Sequence, residues 1–310
     1  MAIIQELSLF DWKNFHDDAQ TLGDLERLRL VIETMPDGKL MKILSSLRGN
    51  GRNDYPVAPV WNSVLAGIVF EHASVESLRR ELQRNAQLRE MCGFNPIAGV
   101  NAVPSKSAYS RFLTNLLKHE SLVREMFDCL VEELTEIIPN FGTNVAGDGK
   151  PLPSFGSPVK KEDGDQRRDE DADWGKKVSR GVNADGKAWE KIKSWFGFRV
   201  HLIIDADAEL PVAYTVTKAS TGEQPVMRQM FADLKTSHPR LIKRCKHAML
   251  DKGYDGTKMV CGLWDKYGIK PIIDIRNLWK DKEKTRQLTS KKIDNVTYDY
   301  KGGKLTVNKL

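Results

Sequence analysis

The sequence predicts an all-α region over residues 1–140 followed by an α/β domain built on a mixed sheet. Three observations carry this. Up to about residue 140 the apolar residues recur at helical spacing, and after Asn140 short runs rich in β-branched and aromatic residues take over. Those runs then follow the order strand, hairpin, helix, strand, helix, strand, which gives a sheet that is partly parallel and partly antiparallel.

In the first region, Pro59 is placed to open a helix through VWNSVLAGIVF. Ser74 offers an N-cap for SVESLRRELQRN, with Leu78 and Leu82 on one face and Arg79, Arg80 and Arg84 on others. GFNPIAGVNAVP reads as a loop. Ser105 or Ser107 can cap SAYSRFLTNLLKH, and LVREMFDCLVEELTEII continues as a helix that Pro139 ends.

In the second region, NVAGDGK reads as a short strand running into an Asp-Gly turn. WFGFRVHLIIDA and LPVAYTVT form a hairpin around Asp205–Glu209. A helix from Gln224 to Leu234, the strand HAMLD, the helix TKMVCGLWDKYG and the strand IKPIIDI complete the domain to residue 276. An insertion over residues 157–193 interrupts it. Nineteen of the 34 residues from Lys160 to Lys193 are charged, with both signs mixed, so a solvated loop is expected there. Trp174, Trp189 and Trp195 are its only residues suited to packing or stacking. Residues 277–310 read as a basic linker ending in a hairpin, VTYDYKGGKLTV, that turns at Gly302-Gly303.

Composition narrows the class. With 40% hydrophobic and 29% charged residues the chain reads as a soluble globular protein, and without a signal peptide or transmembrane run a cytoplasmic location is expected. Cys92, Cys129, Cys245 and Cys261 form no CxxC pair, which argues against structural zinc and for reduced thiols. The net charge of +6 is matched by Arg276–Leu310 alone, where ten Lys or Arg stand against four Asp or Glu. Such a basic excess permits nucleic-acid binding.

Asp148, after the NVA strand, and Asp251, after HAML, place carboxylates at two strand ends 103 positions apart in sequence. Hard oxygen donors of this kind suit Mg²⁺ or Mn²⁺. Two such ions, about 3.5–4 Å apart, activate a nucleophile and stabilise the leaving oxygen in displacement at phosphorus. The structural alternative is an ordinary Asp-Gly turn at Asp148, and at Asp255 a helix cap.

The stretches AGDGK (146–150), WFGFRVHLIID (195–205), TKASTGE (217–223), MLDKGYDG (249–256) and YGIKPIIDIR (267–276), in this order, resemble the motifs of IS4/IS5-like (IS1182-type) transposases. VPSKSAYSRFL (103–113) resembles their helical N-terminal region. The resemblance implies an RNase H-like catalytic domain with an acid triad, in which Asp148 is the first acid and Asp251 the second, both ligands of catalytic Mg²⁺. It makes Arg199, His201 and Tyr254 supporting residues, and it implies double-stranded DNA (element ends and target) and further copies of the chain as partners. Arg79, Arg80, Arg84 and Arg111 are the candidate phosphate contacts of the helical region.

The family's third acid is a Glu on a helix well beyond the second Asp. Glu283 is the only Glu after Arg276, and it stands among lysines. The expectation is therefore a truncated chain whose third acid lies beyond residue 310 and which cleaves DNA poorly by itself. Two other readings stay open. One is an inactive DNA-binding remnant or inhibitor of transposition, and the other is an RNase H-like nuclease unrelated to transposition.

Overall fold

The structure is a computed structural model that describes residues 23–47, 55–158, 169–183, 185–274, 285–288, 295–299 and 304–308. Its compact units divide between Leu130 and Val131, inside a single helix.

The first unit is built of helices over its described residues: α1 (Asp24–Thr34), α2 (Gly38–Ser46), α3 (Val57–Val69), α4 (Val75–Arg84), α5 (Ala86–Cys92), α6 (Lys106–Leu117) and the start of α7 (Glu120–Ile137). The helix α3 begins earlier than the sequence suggests. Pro56 precedes it and Pro59 lies inside its first turn, where a missing N–H costs nothing. Ser74 caps α4 as expected, accepting from the Ser77 amide at 3.1 Å, while Ser77 Oγ accepts from the Ser74 amide. Ser105 rather than Ser107 caps α6. Leu28, Leu40, Trp61, Leu65, Leu82, Leu88 and Tyr109 form the centre of one apolar cluster. Burying these side chains gives most of the unit's stabilisation.

The second unit holds a six-stranded mixed sheet: β1 (Asn144–Pro153), β2 (Asp173–Val182), β3 (Ala188–Asp205), β4 (Pro211–Lys218), β5 (His247–Leu250) and β6 (Lys270–Ile273). β1 lies between β3, antiparallel, and β5, parallel; β4 pairs antiparallel with β3, and β6 parallel with β5. The spatial order β4-β3-β1-β5-β6 is that of an RNase H-like domain, as the resemblance implied. Helices α8 (Glu223–Ser237), α9 (Pro239–Arg244) and α10 (Thr257–Gly262, continued by a π turn Leu263–Tyr267) complete the unit. Met227, Met230, Phe231 and Leu234 of α8 are buried, and Gly147 lets β1 approach Met227 and Leu250 so closely that a Cβ would lie within 3.0 Å of both. At the β3–β4 turn, Asp205 is buried and accepts from the amides of Gly142, Asp207 and Ala208, which fixes the turn read from Asp205–Glu209.

Three expectations are corrected. Asp148-Gly149 is not a turn, because β1 continues in register with β3 as far as Pro153. The charged insertion is not simply a loop: β2 pairs with the first half of β3 over Asp173–Val182 and Ala188–Gly197. Last, the segment after residue 276 holds more than a hairpin. β8 (Asn295–Asp299) and β9 (Lys304–Asn308) pair as expected, and β7 (Thr285–Leu288) adds a third antiparallel strand. Glu283 and the Gly302-Gly303 turn lie outside the described residues.

Candidate active site

Parallel pairing brings the two aspartates together. Gly147 and Leu250 are register partners on β1 and β5, and Asp148 and Asp251 each follow by one residue. Neighbouring strands lie about 4.8 Å apart, so the acids stand side by side where β5 ends and β1 continues. Both are exposed. Each has one carboxylate oxygen tied locally: Asp148 Oδ1 accepts from the Gly149 amide and Asp251 Oδ1 from the Gly253 amide, both at 2.7 Å. The second oxygen of each makes no hydrogen bond among the described residues.

The sequence DKGYD forms a tight turn, Lys252–Tyr254, capped by the Asp251 side chain. A Cβ at Gly253 would lie 2.7 Å from Asp251 Oδ1, so only glycine leaves room for the carboxylate to fold back on the backbone. Tyr254 is fully buried under this turn, its hydroxyl without a hydrogen-bond partner. Burial raises its phenol above the usual range, and the charges of Glu223, Asp148 and Asp251 add to that. A buried, neutral phenol packs rather than reacts.

Arg199 and His201 alternate along β3 and are both buried. They face Gly149: a Cβ at that position would meet Arg199, His201 Nδ1 and Glu223 Oε1, each at 3.4 Å. Arg199 forms an ion pair with Glu223 and lies 5.1 Å over the Trp195 ring. His201 Nε2 and Thr217 Oγ1 are 3.0 Å apart, and Thr217 donates to the Lys218 carbonyl at 3.2 Å. Thr217 therefore accepts from Nε2–H, which leaves Nδ1 as a buried lone pair without a partner. Burial and the adjacent Arg199 push His201 down to about 4, against the opposing pull of Asp148.

Glu223 lies in the TKASTGE stretch, where the resemblance places no acid, because the family's third acid follows Asp251. It opens α8, the helix that follows the hairpin. Burial raises its carboxyl, Arg199 opposes this, and the negative charges of Asp251 and Asp148 add to it. The site thus holds three carboxylates close enough to sense one another. Gln224, the next residue, was also missed. Its amide donates to the carbonyl oxygens of Gly253 at 2.9 Å and Asp255 at 3.3 Å, bracing the turn that carries Asp251.

The donor set suits a divalent cation. Two carboxylates on adjacent strands, Asp148 within β1 and Asp251 just after β5, each offer a free oxygen, the hard ligand such ions prefer. Among the described residues no group of three or more His, Cys, Asp or Glu is arranged to hold a metal, so the two aspartates stand as a pair.

Of the arginines proposed to contact DNA, Arg79 donates to the Pro104 carbonyl and pairs with Glu76, and Arg84 pairs with Glu81. Arg80 and Arg111 are exposed. None of the four is part of the carboxylate site's unit. Among the described residues no helix is long and apolar enough to cross a membrane.

Residues 146–306 match the family model described as "Transposase DDE domain". No curated protein matches the chain. Among solved structures, the piggyBac transposase synaptic complex with hairpin DNA is similar at 11% identity and a TM-score of 0.42, covering 90% of this chain. The chain spans 60% of the length of that protein chain.

Proposed function

We propose, for a chain that belongs to the transposase DDE domain family, that it cuts and joins DNA strands by metal-dependent phosphoryl transfer, with Asp148 and Asp251 holding the metal. The observation that carries this is the register of β1 and β5, which sets the two aspartates side by side with one oxygen of each free. Mg²⁺ or Mn²⁺ bound there would supply Lewis-acid stabilisation of the oxygens that attack and leave phosphorus.

The chain's own residues support that chemistry in distinct ways. Glu223 neutralises and aims Arg199, which fixes a cation beside the acids without leaving it free to pair with them. Neutral His201 adds no positive charge that would compete with a metal. Gln224 and Gly253 hold the turn that presents Asp251. Double-stranded DNA is the substrate of this reading, and a second copy of the chain in the DNA complex is part of it.

The second reading is a chain that binds DNA without cutting it. It is favoured by the absence, among the described residues, of a third metal-holding acid. One experiment separates the two. Metal-ion titration by calorimetry is run beside Mn²⁺-dependent nicking of supercoiled plasmid, for the full chain and for Asp148→Asn and Asp251→Asn. Cutting by phosphoryl transfer predicts metal binding and nicking that each substitution lowers by about a hundredfold or more. Metal and DNA binding without nicking selects the second reading. Unchanged metal binding in both variants removes the aspartates from the site.

A further inference from the structure

Among the described side chains, the β2–β3 hairpin is a two-stranded ribbon exposed from Lys176 to Ser194. Strand alternation sorts its residues by face. Lys177 is paired with Lys193 and Ser179 with Lys191, so these three lysines share one side, with Trp189 farther along it. Trp174, Val178 and Ile192 occupy the other side, each exposed. Between Gly175 and Trp195 neither strand puts an acidic residue on the lysine side. None of the three lysines forms an ion pair with a described residue.

Two lysines directly opposite each other repel, which makes the pairing of Lys177 with Lys193 unfavourable for a ribbon standing alone. A polyanion along this side reverses the sign of that interaction. The same side of β3 continues through Trp195, with Arg199 stacked on it at 5.1 Å, to His201. The positive charge of Lys177 is felt at Glu223. The row of lysines therefore leads to the Arg199–Glu223 ion pair on the Gly149 side of the sheet, while Asp148, paired with Leu202, lies on the other side. A two-stranded ribbon also matches the width of the DNA major groove.

We propose that the lysine side of the β2–β3 ribbon clamps the phosphate backbone of duplex DNA and leads it along β3 to Arg199. This rests on the DNA-cutting reading above and adds to it a surface outside the family's acids.

The test is binding of a short fluorescein-labelled duplex by the full chain, read by anisotropy across a salt series. The triple variant Lys177→Gln, Lys191→Gln, Lys193→Gln is expected to bind about tenfold or more weakly at low salt. Its slope of log affinity against log salt should be shallower by roughly 2–3, one phosphate contact for each lysine. Lys176→Gln, on the opposite side, should change affinity by less than about twofold. The single variant Lys191→Glu, at an exposed position, guards against misfolding of the triple variant and should also weaken binding. If the wild type binds and both lysine-side variants keep its affinity and slope, the clamp is wrong and the DNA reading stands. If the wild type binds no duplex at any salt, both fall.

Discussion

At the scale of single residues, one glycine on β3 sets the course of the strand that carries Arg199 and His201. Gly197 has φ of 146° and its missing Cβ would lie 2.4 Å from the Leu152 carbonyl oxygen, so no other residue fits without moving the backbone. It also marks the switch on β3, whose residues before it pair with β2 and after it with β4. Gly197→Ala is therefore expected to destabilise the sheet unit by at least about 2 kcal/mol, read as a lowered denaturant midpoint with the same slope. A change of under about 0.5 kcal/mol would mean that the strand has another way to bend. The acids themselves were legible, because Asp directly after a short apolar run is a local pattern, even though β1 continues beyond Asp148. Glu223 was not, because its value to the site comes from Arg199, twenty-four positions earlier, and no local pattern records that pairing.

Among elements, the start of α8 does more than begin a helix. Glu223 reaches β3, and Gln224 reaches the turn after β5. Gln224→Ala removes two hydrogen bonds to backbone carbonyls, at a cost of about 1–2 kcal/mol confined to the turn. Hydrogen exchange at the Gly253 and Tyr254 amides should speed up while amides within β1 and β3 hold their protection. Equal acceleration everywhere would make Gln224 a general stabiliser rather than a brace. The insertion shows what charge counting hides. Its mixed charges suggested a loop, yet Trp174, Val178 and Ile192 already fall on one side of an alternating pattern and three lysines on the other. Period-two alternation, which depends on position, was the better signal than composition. The helices were legible for the opposite reason: Ser74 and Ser105 cap them through contacts three residues away, well inside the reach of local sequence.

For the molecule as a whole, the order of elements was readable, but the pairing of β1 between an antiparallel and a parallel neighbour was not, since it joins residues 44 to 60 positions apart on one side and 103 on the other. That pairing has a consequence for stability. It buries His201 among groups from four elements: Arg199 on its own strand, Asp148 on β1, Thr217 on β4 and Glu223 on α8. Folded, His201 takes up a proton only near pH 4, whereas the unfolded chain does so near 6.5. Between those values the unfolded state binds more protons, so stability falls as pH drops from about 6.5 to about 4. Glu223 acts in the opposite sense, because its raised carboxyl binds a proton more readily when folded. The two are separated by comparing the wild type with His201→Gln, which cannot gain charge. Denaturant midpoints measured from pH 7 to pH 4 should converge as pH falls, the wild type losing more stability than the variant. Parallel loss in both would show that His201 is protonated as easily in the folded protein as in the unfolded chain, and that its burial does not govern the acid limb.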